Sequence, residues 1–282
     1  MARIVVLSDL HLSPTHGFFW ENWCVARAFA DVAGADAVIV NGDLAIDGPD
    51  SDAEIAFAAR ALSGLRPPVV AVPGNHDVGD EPPGQDPRQI VDDARLARWD
   101  RAFGADRFVL DAGGWRLVGV NAQLFGSGLE REGLQDRWLD EQLGAAGRPV
   151  ALFLHKPLFV ENPATDPATP RCIVPPARGR LIDRLDRGDV RLVVSGHMHE
   201  HRDLTIGGRR HLWVPAVAFA SSHPLGSDAR CGVTVLAFSE SGVAVAIERP
   251  PGLVSHDLEA VKGHGRWRFL REMPPCPPPG AA

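Results

Sequence analysis

The chain has 282 residues, 45% hydrophobic and 23% charged, enough apolar material for a large core in one big domain or two small ones. Its formal net charge of -7 and pI near 5.9 make the bulk surface repel polyanions, which argues against nucleic acid or an anionic membrane as partner. The four cysteines, Cys24, Cys172, Cys231 and Cys276, form neither a CxxC pair nor a dense disulfide framework, so a reducing, cytoplasmic setting is expected.

The first apolar run, Ile-Val-Val-Leu at 4–7, stops at Ser8-Asp9. It is too short for the apolar region of a signal peptide and reads as a strand. No later run approaches the roughly 20 apolar residues that span a bilayer. Phe18, Phe19, Trp20 and Trp23 open a helical segment over 20–32. These rings read as a face buried in the core, with a wall for stacking a base as the alternative. Val-Ile-Val at 38–40 runs into Asn41-Gly42-Asp43, and Ser51 with Glu54 forms a capping box that starts a helix ending near Leu62. Val-Val-Ala-Val at 69–72 then stops at Pro73-Gly74-Asn75-His76-Asp77, and a Pro- and Gly-rich loop follows over 79–87.

A hairpin is predicted from 108–110 and 116–120 around Asp111-Ala112-Gly113-Gly114. Leu134, Trp138, Gln142 and Leu143 give a helical stripe. The run at 150–154 ends at His155, and the loop over 162–176 precedes a helix at 178–185. The run at 190–194 ends at Ser195-Gly196-His197. Runs at 212–219, 233–238 and 243–247 predict a second, more antiparallel sheet. From Pro250 onward, with Pro274 to Pro279, the chain reads as a tail, giving a domain over 1–250 and a Pro-rich C-terminal tail over 251–282.

Five short, β-branched runs, apolar on both faces and alternating with helices, imply βαβ units and an α/β fold. Ligands of open α/β sheets gather beyond the carboxyl ends of strands, where all five polar stops fall. Those stops supply Asp9, His11, Asp43, Asn75, His76, Asp77, His155, His197 and His199. In extended backbone, residues two apart point the same way, so Asp9 with His11 and His197 with His199 are expected to converge in pairs. Any one of these histidines alone would be better read as packing or surface; together they form a set of oxygen and imidazole ligands.

These blocks, in this order and over about two thirds of the chain, resemble the calcineurin-like metallophosphoesterases. The resemblance implies a four-layer αββα sandwich of two mixed β-sheets flanked by helices. It implies two transition-metal ions, such as Mn, Fe or Zn: one held by Asp9, His11 and His199, the other by Asn75, His155 and His197, with Asp43 bridging them. Attack would come from a hydroxide that bridges the ions. His76 is cast as the group that stabilises the phosphoryl oxygens or protonates the leaving alkoxide, and Asp77 as the partner that orients its imidazole.

Outside the motif, His16, His201, His211, His223, His256 and His264 read as surface or structural, with His201 and His223 nearest the blocks. Lys156 follows His155 and is placed to reach a substrate phosphate, although cyclic-nucleotide phosphodiesterases often carry a histidine there. Arg171 and Arg178 flank the Pro-rich loop as candidates for a second phosphate or carboxylate, with solvated arginines as the alternative. The Leu-Ser-Asp-Leu-His opening is similar to that of bacterial small-molecule phosphodiesterases, so the expected substrate is a small phosphodiester, cyclic-nucleotide or glycerophosphodiester in type. The alternatives are a phosphomonoesterase or nuclease of the same family, or a noncatalytic scaffold. A homo-oligomer is left open.

Overall fold

The computed structural model describes residues 1–225, 227–258 and 275–280; His264 and Pro274 lie outside the described residues. In chain order the strands are β1 (Ala2–Leu7), β2 (Ala37–Asn41), β3 (Val69–Val72), β4 (Phe108–Ala112), β5 (Trp115–Gly119), β6 (Val150–Phe153) and β7 (Val190–Ser195). They continue as β8 (Arg202–Ile206), β9 (Arg209–Trp213), β10 (Phe219–Ala220), β11 (Val233–Ser239), β12 (Gly242–Glu248) and β13 (His256–Asp257). The helices are α1 (Trp20–Val32), α2 (Asp52–Leu62), the single turn α3 (Asn75–Val78), α4 (Asp93–Phe103), α5 (Glu130–Gly144) and α6 (Ala177–Arg187). None is long and apolar enough to cross a membrane.

One sheet runs β12-β11-β1-β2-β3 and the other β4-β5-β6-β7-β9-β8, while β10 and β13 pair separately. Both large sheets are mixed: β1, β2 and β3 are parallel, as are β5, β6, β7 and β9, with antiparallel strands at the margins. Alternation along β1 divides its side chains between two cores. Ile4 and Val6 join Phe153, Val194 and Phe238 between the sheets, whereas Val5 and Leu7 join Trp23, Phe57 and Trp99 under α1, α2 and α4. On the far side, Val118 and Leu152 pack against Leu139 of α5 and Leu181 of α6. The result is helix, sheet, sheet, helix. Strands covered on both faces have no polar side to show, which explains the unbroken apolar runs. Full burial of each such side chain contributes about 1.5–3 kcal/mol.

Three expectations are corrected. The hairpin of β11 and β12 pairs with β1 and extends the first sheet, so the second sheet owes its antiparallel character only to β4 and β8. The buried face of α5 is Gln135, Leu139 and Leu143, while Leu134 is 42% exposed; the Gln135 amide is drawn inward because it bridges both backbone groups of Asn121. Only half of the capping box forms. Ser51 accepts from the Glu54 amide, but the Glu54 carboxylate accepts from the Ser13 hydroxyl.

Phe19 and Trp23 are buried, as the core reading of that aromatic cluster requires. At the other end, the Cys276 amide donates to the Thr15 carbonyl at 2.7 Å, and the Gly17 amide donates to the Cys276 carbonyl at 2.8 Å.

Candidate metal centre

The carboxyl ends of β1, β2, β3, β6 and β7 meet at one place, and their connections deliver the polar stops to it. The exits of β1 and β2 run side by side: Asp9 N donates to Gly42 O at 3.0 Å and His11 N to Asp43 O at 3.0 Å. From the other sheet, Gly196 N donates to His155 O at 2.9 Å. Glycine at 74 is demanded by crowding, since a Cβ there would overlap Asp43 Oδ1 and lie 2.8 Å from the His155 ring.

The backbone differs from the extended form expected at the ligands. Asp9, His11, Asp43, His197 and His199 have φ of 56°, 45°, 53°, 68° and 54°, and they are the only non-glycine residues with positive φ among the described residues. L-residues occupy this left-handed region at a cost, so its restriction to five site residues marks strain held by the surrounding fold. The pairs converge because the chain kinks, and strand pleating plays no part.

Asp9, His11 and His199 have ligand atoms within 4.8 Å of one another, and so do Asp43, His155 and His197. His11, Asp43 and His76 form a third such group, which includes the histidine that the sequence reading set aside from the ligands. Asn75 lines a cavity of about 220 Å³ with Asp43, His76, His197 and His199, and its Oδ1 is buried without a hydrogen-bond partner.

Backbone carbonyls fix four imidazoles. His155 Nδ1 faces Asn41 O at 2.9 Å, His199 Nδ1 faces Phe219 O at 3.0 Å, His76 Nδ1 faces Ile46 O at 2.7 Å, and His197 Nε2 faces Pro170 O at 3.2 Å. A carbonyl only accepts, so each of these ring nitrogens carries a proton and the opposite nitrogen is the one left to present a lone pair to a cation. In His199 that nitrogen lies 3.1 Å from Asp9 Oδ1 and 3.3 Å from His11 Nε2. In His155 it lies 3.1 Å from Asp43 Oδ2. Acceptors that converge in this way suit a bound cation, and carbonyl-oriented imidazoles are the usual support of metal ligands.

The electrostatics agree. Burial opposes ionisation of Asp9 and Asp43, but His199 beside Asp9 and His155 beside Asp43 outweigh it and hold both carboxyls well below the usual range. Burial also disfavours a charged His155, yet the adjacent Asp43 and Asp9 push its imidazole up to about 9. Burial and the neighbouring Lys156 and His155 push His197 down to about 3. The carboxylates therefore draw positive charge to the middle of the cluster.

Asp77 does not orient His76. Its carboxylate accepts from the backbone amides of Gly74 at 2.8 Å, Leu44 at 2.9 Å and Ala45 at 2.9 Å, tying the β2 exit to the β3 exit. Burial, followed by repulsion from Asp43, pushes Asp77 up to about 7. Lys156 does not reach the cavity either. It is fully buried in ion pairs with Asp80 and with Glu81, the latter at 2.5 Å. Of the outlying histidines, His223 lines the cavity, whereas His201 bonds the Trp213 carbonyl and His211 packs on Phe159. Phe219, missed from sequence, lies with its ring centroid 4.1 Å from His199; the only available signal was its place at the end of an apolar run.

A family model described as calcineurin-like phosphoesterase matches residues 2–201. The chain belongs to that family. A zebrafish (Danio rerio) relative named serine/threonine-protein phosphatase CPPED1 is 30% identical over 221 residues, 73% of this chain and 66% of that protein. Human CPPED1 is 30% identical over 141 residues, and the match spans only 42% of its length. The 3',5'-cyclic adenosine monophosphate phosphodiesterase CpdA of Escherichia coli is 29% identical over 226 residues, 76% of this chain and 75% of that protein. In architecture, a dimetal phosphatase from Danio rerio superposes with a TM-score of 0.60 at 16% identity, covering 87% of this chain and 95% of that one. The purple acid phosphatase PPD1 from yellow lupin gives 0.62 at 14% identity over 91% of this chain and 52% of that one. The family thus includes phosphatases and a phosphodiesterase, and this chain shares its fold.

Proposed function

We propose that the chain is a phosphoesterase with a dinuclear metal centre that hydrolyses a small phosphodiester, cyclic-nucleotide or glycerophosphodiester in type. The observation that carries this reading is the convergence of ligand atoms from both sheets on one small cavity, where all five non-glycine residues of positive φ among the described residues also gather. Asp9, His11 and His199 would hold one ion, Asn75, His155 and His197 the other, and Asp43 would bridge. Mixed nitrogen and oxygen donors suit Mn, Fe or Zn better than an all-oxygen or thiolate set would. When bound, such a pair supplies a water nucleophile at neutral pH and a clamp on the phosphoryl oxygens.

The chain's own groups supply orientation and a proton. The carbonyls of Asn41, Pro170 and Phe219 hold the ligand imidazoles in the tautomers that present lone pairs inward. His76 is held by Ile46 O through Nδ1 and by its own backbone amide, which donates to Asp43 Oδ1 at 2.9 Å. Its Nε2, when protonated, hydrogen-bonds a phosphoryl oxygen or delivers the proton to the leaving alkoxide. Asp77 takes no part in that transfer; it fixes the loop that carries Asn75 and His76.

Relatives named as phosphatases make a phosphomonoester the second reading. The deciding experiment strips the protein of metal, restores Mn(II), Zn(II) or Fe(II) in turn, and compares hydrolysis of a nitrophenyl phosphodiester with that of the matching monoester while metal content is assayed. Two ions per chain and metal-dependent turnover, faster for the diester, are expected. A faster monoester would replace the substrate class, and failure to take up two ions would sink the dinuclear reading.

A further inference from the structure

The cavity at the metal centre has a second wall, made by Gln85, Arg171, Ser221, Ser222 and His223. Arg171 is the only lysine or arginine among the residues lining it, and Asp43 the only carboxylate. In a chain of formal charge -7, arginines are mostly spoken for: Arg95, Arg98, Arg131, Arg184, Arg202, Arg209 and Arg210 all sit against carboxylates. Arg171 has no carboxylate within ion-pair distance among the described residues, and its backbone amide donates to Thr169 Oγ1 at 3.1 Å.

The loop that carries Arg171 is built rather than slack. Asp166 accepts from the amides of Val160 at 2.5 Å, Glu161 at 2.9 Å and Asn162 at 3.0 Å, closing one end. Ile173 N donates to Pro157 O at 2.9 Å, closing the other. Arg178, the second arginine singled out from sequence, is buried and turned inward, where it donates to the Asp166 carbonyl at 2.7 Å. The loop is also tied to the metal centre, because the Pro170 carbonyl that accepts from His197 belongs to the peptide bond leading into Arg171. The fold thus anchors the backbone of Arg171 next to a proposed metal ligand, on the rim of the same cavity, with no carboxylate paired to its guanidinium among the described residues.

We propose that Arg171 is a specificity residue that receives a second anionic group, a carboxylate or phosphate, on the part of the substrate that is not transferred. The substrate class then narrows to a phosphate ester whose alcohol portion bears its own negative charge, which a simple cyclic nucleotide lacks. A cavity of about 220 Å³ falls below the range usual for drug-sized ligands and suits a molecule this small. A guanidinium matches the two oxygens of either anion in a bidentate bond. This inference rests on the phosphoesterase reading, and its test separates the two.

The probes are methylphosphonate and phosphonoacetate, which share a phosphonate but differ in a carboxylate. Their binding to the Mn(II)-loaded protein is measured by calorimetry for the natural chain, Arg171→Gln and Arg171→Lys. The natural chain is expected to bind phosphonoacetate about tenfold more tightly than methylphosphonate, the size of a charge-assisted hydrogen bond. Arg171→Gln should bring that ratio close to one, and Arg171→Lys should keep an intermediate ratio. A natural chain that binds methylphosphonate but shows no preference, or a ratio unchanged in Arg171→Gln, overturns the assignment of Arg171 and leaves the metal centre standing. If the natural chain binds neither phosphonate, the phosphoesterase reading falls and takes this inference with it.

Discussion

His155 and Lys156 are neighbours in the chain and equally hidden from solvent, yet they belong to two clusters of opposite character. His155 points into the strand-end cluster, where imidazoles and carboxylates crowd together and Asn75 Oδ1 has no hydrogen-bond partner. Lys156 points the other way, into Asp80 and Glu81, so that its charge is answered within the protein. Asp80 in turn accepts from the Gln85 amide at 3.0 Å and so shapes the loop that supplies one cavity wall. Burial alone therefore separates nothing. Whether a buried polar atom finds its partner inside the chain, as Lys156 Nζ does and Asn75 Oδ1 does not, distinguishes a group that holds the fold from one that waits for a ligand.

The contrast implies that activity and stability come apart. The largest effect is expected at Asp43→Asn, which should lower metal content and turnover together, with an activity loss exceeding that of any single variant below. His76→Ala should keep both ions while lowering turnover by about 10²–10⁴-fold, as loss of a general acid does; paired metal analysis and kinetics check both, and full activity in His76→Ala would remove its role. Lys156→Met leaves two carboxylates buried together, and a urea titration should show a loss of about 3–5 kcal/mol with two ions still bound. An Lys156→Met protein as stable as the natural one would break the contrast from the structural side.

A subtler effect is expected at Glu54. Burial pushes its carboxyl up to about 7 from an ordinary 4.5, against a partly compensating bond from Ser13. A folded-state value above the unfolded one means that the native state holds the extra proton. Its contribution is thus complete below pH 4.5 and is lost as pH rises towards 7. Glu54→Gln should remove about 2–3 kcal/mol of pH dependence from stability across that window. Urea midpoints of the two proteins that move in parallel with pH would show that Glu54 is not its source.

The strands that build the site were legible because each is covered on both faces and then breaks at a polar residue. The family followed from the order of those breaks. Helix α4 has no counterpart among the predicted elements although its signals are present in the sequence: Asp92 caps the Arg95 amide, Leu96 and Trp99 fall on one face, and Gly104 follows the last turn. Other features had no local signature. The pairing of β11 with β1 joins residues more than two hundred positions apart. The role of Asp77 depends on amides contributed by a different strand exit, and next to a histidine its carboxylate invited the wrong partner. The inward turn of Arg178 and the exposure of Arg171 were equally invisible, since both are arginines beside one Pro-rich loop.

The left-handed backbone at Asp9, His11, Asp43, His197 and His199 also bears on how this chain would drift if its chemistry were no longer needed. Glycine and asparagine tolerate that conformation far better than histidine does. Selection for thermal robustness alone would then favour replacing the histidines first, each exchange relieving about 1–2 kcal/mol. Descendants of such a chain would keep the sandwich, melt at a higher temperature and bind no ions.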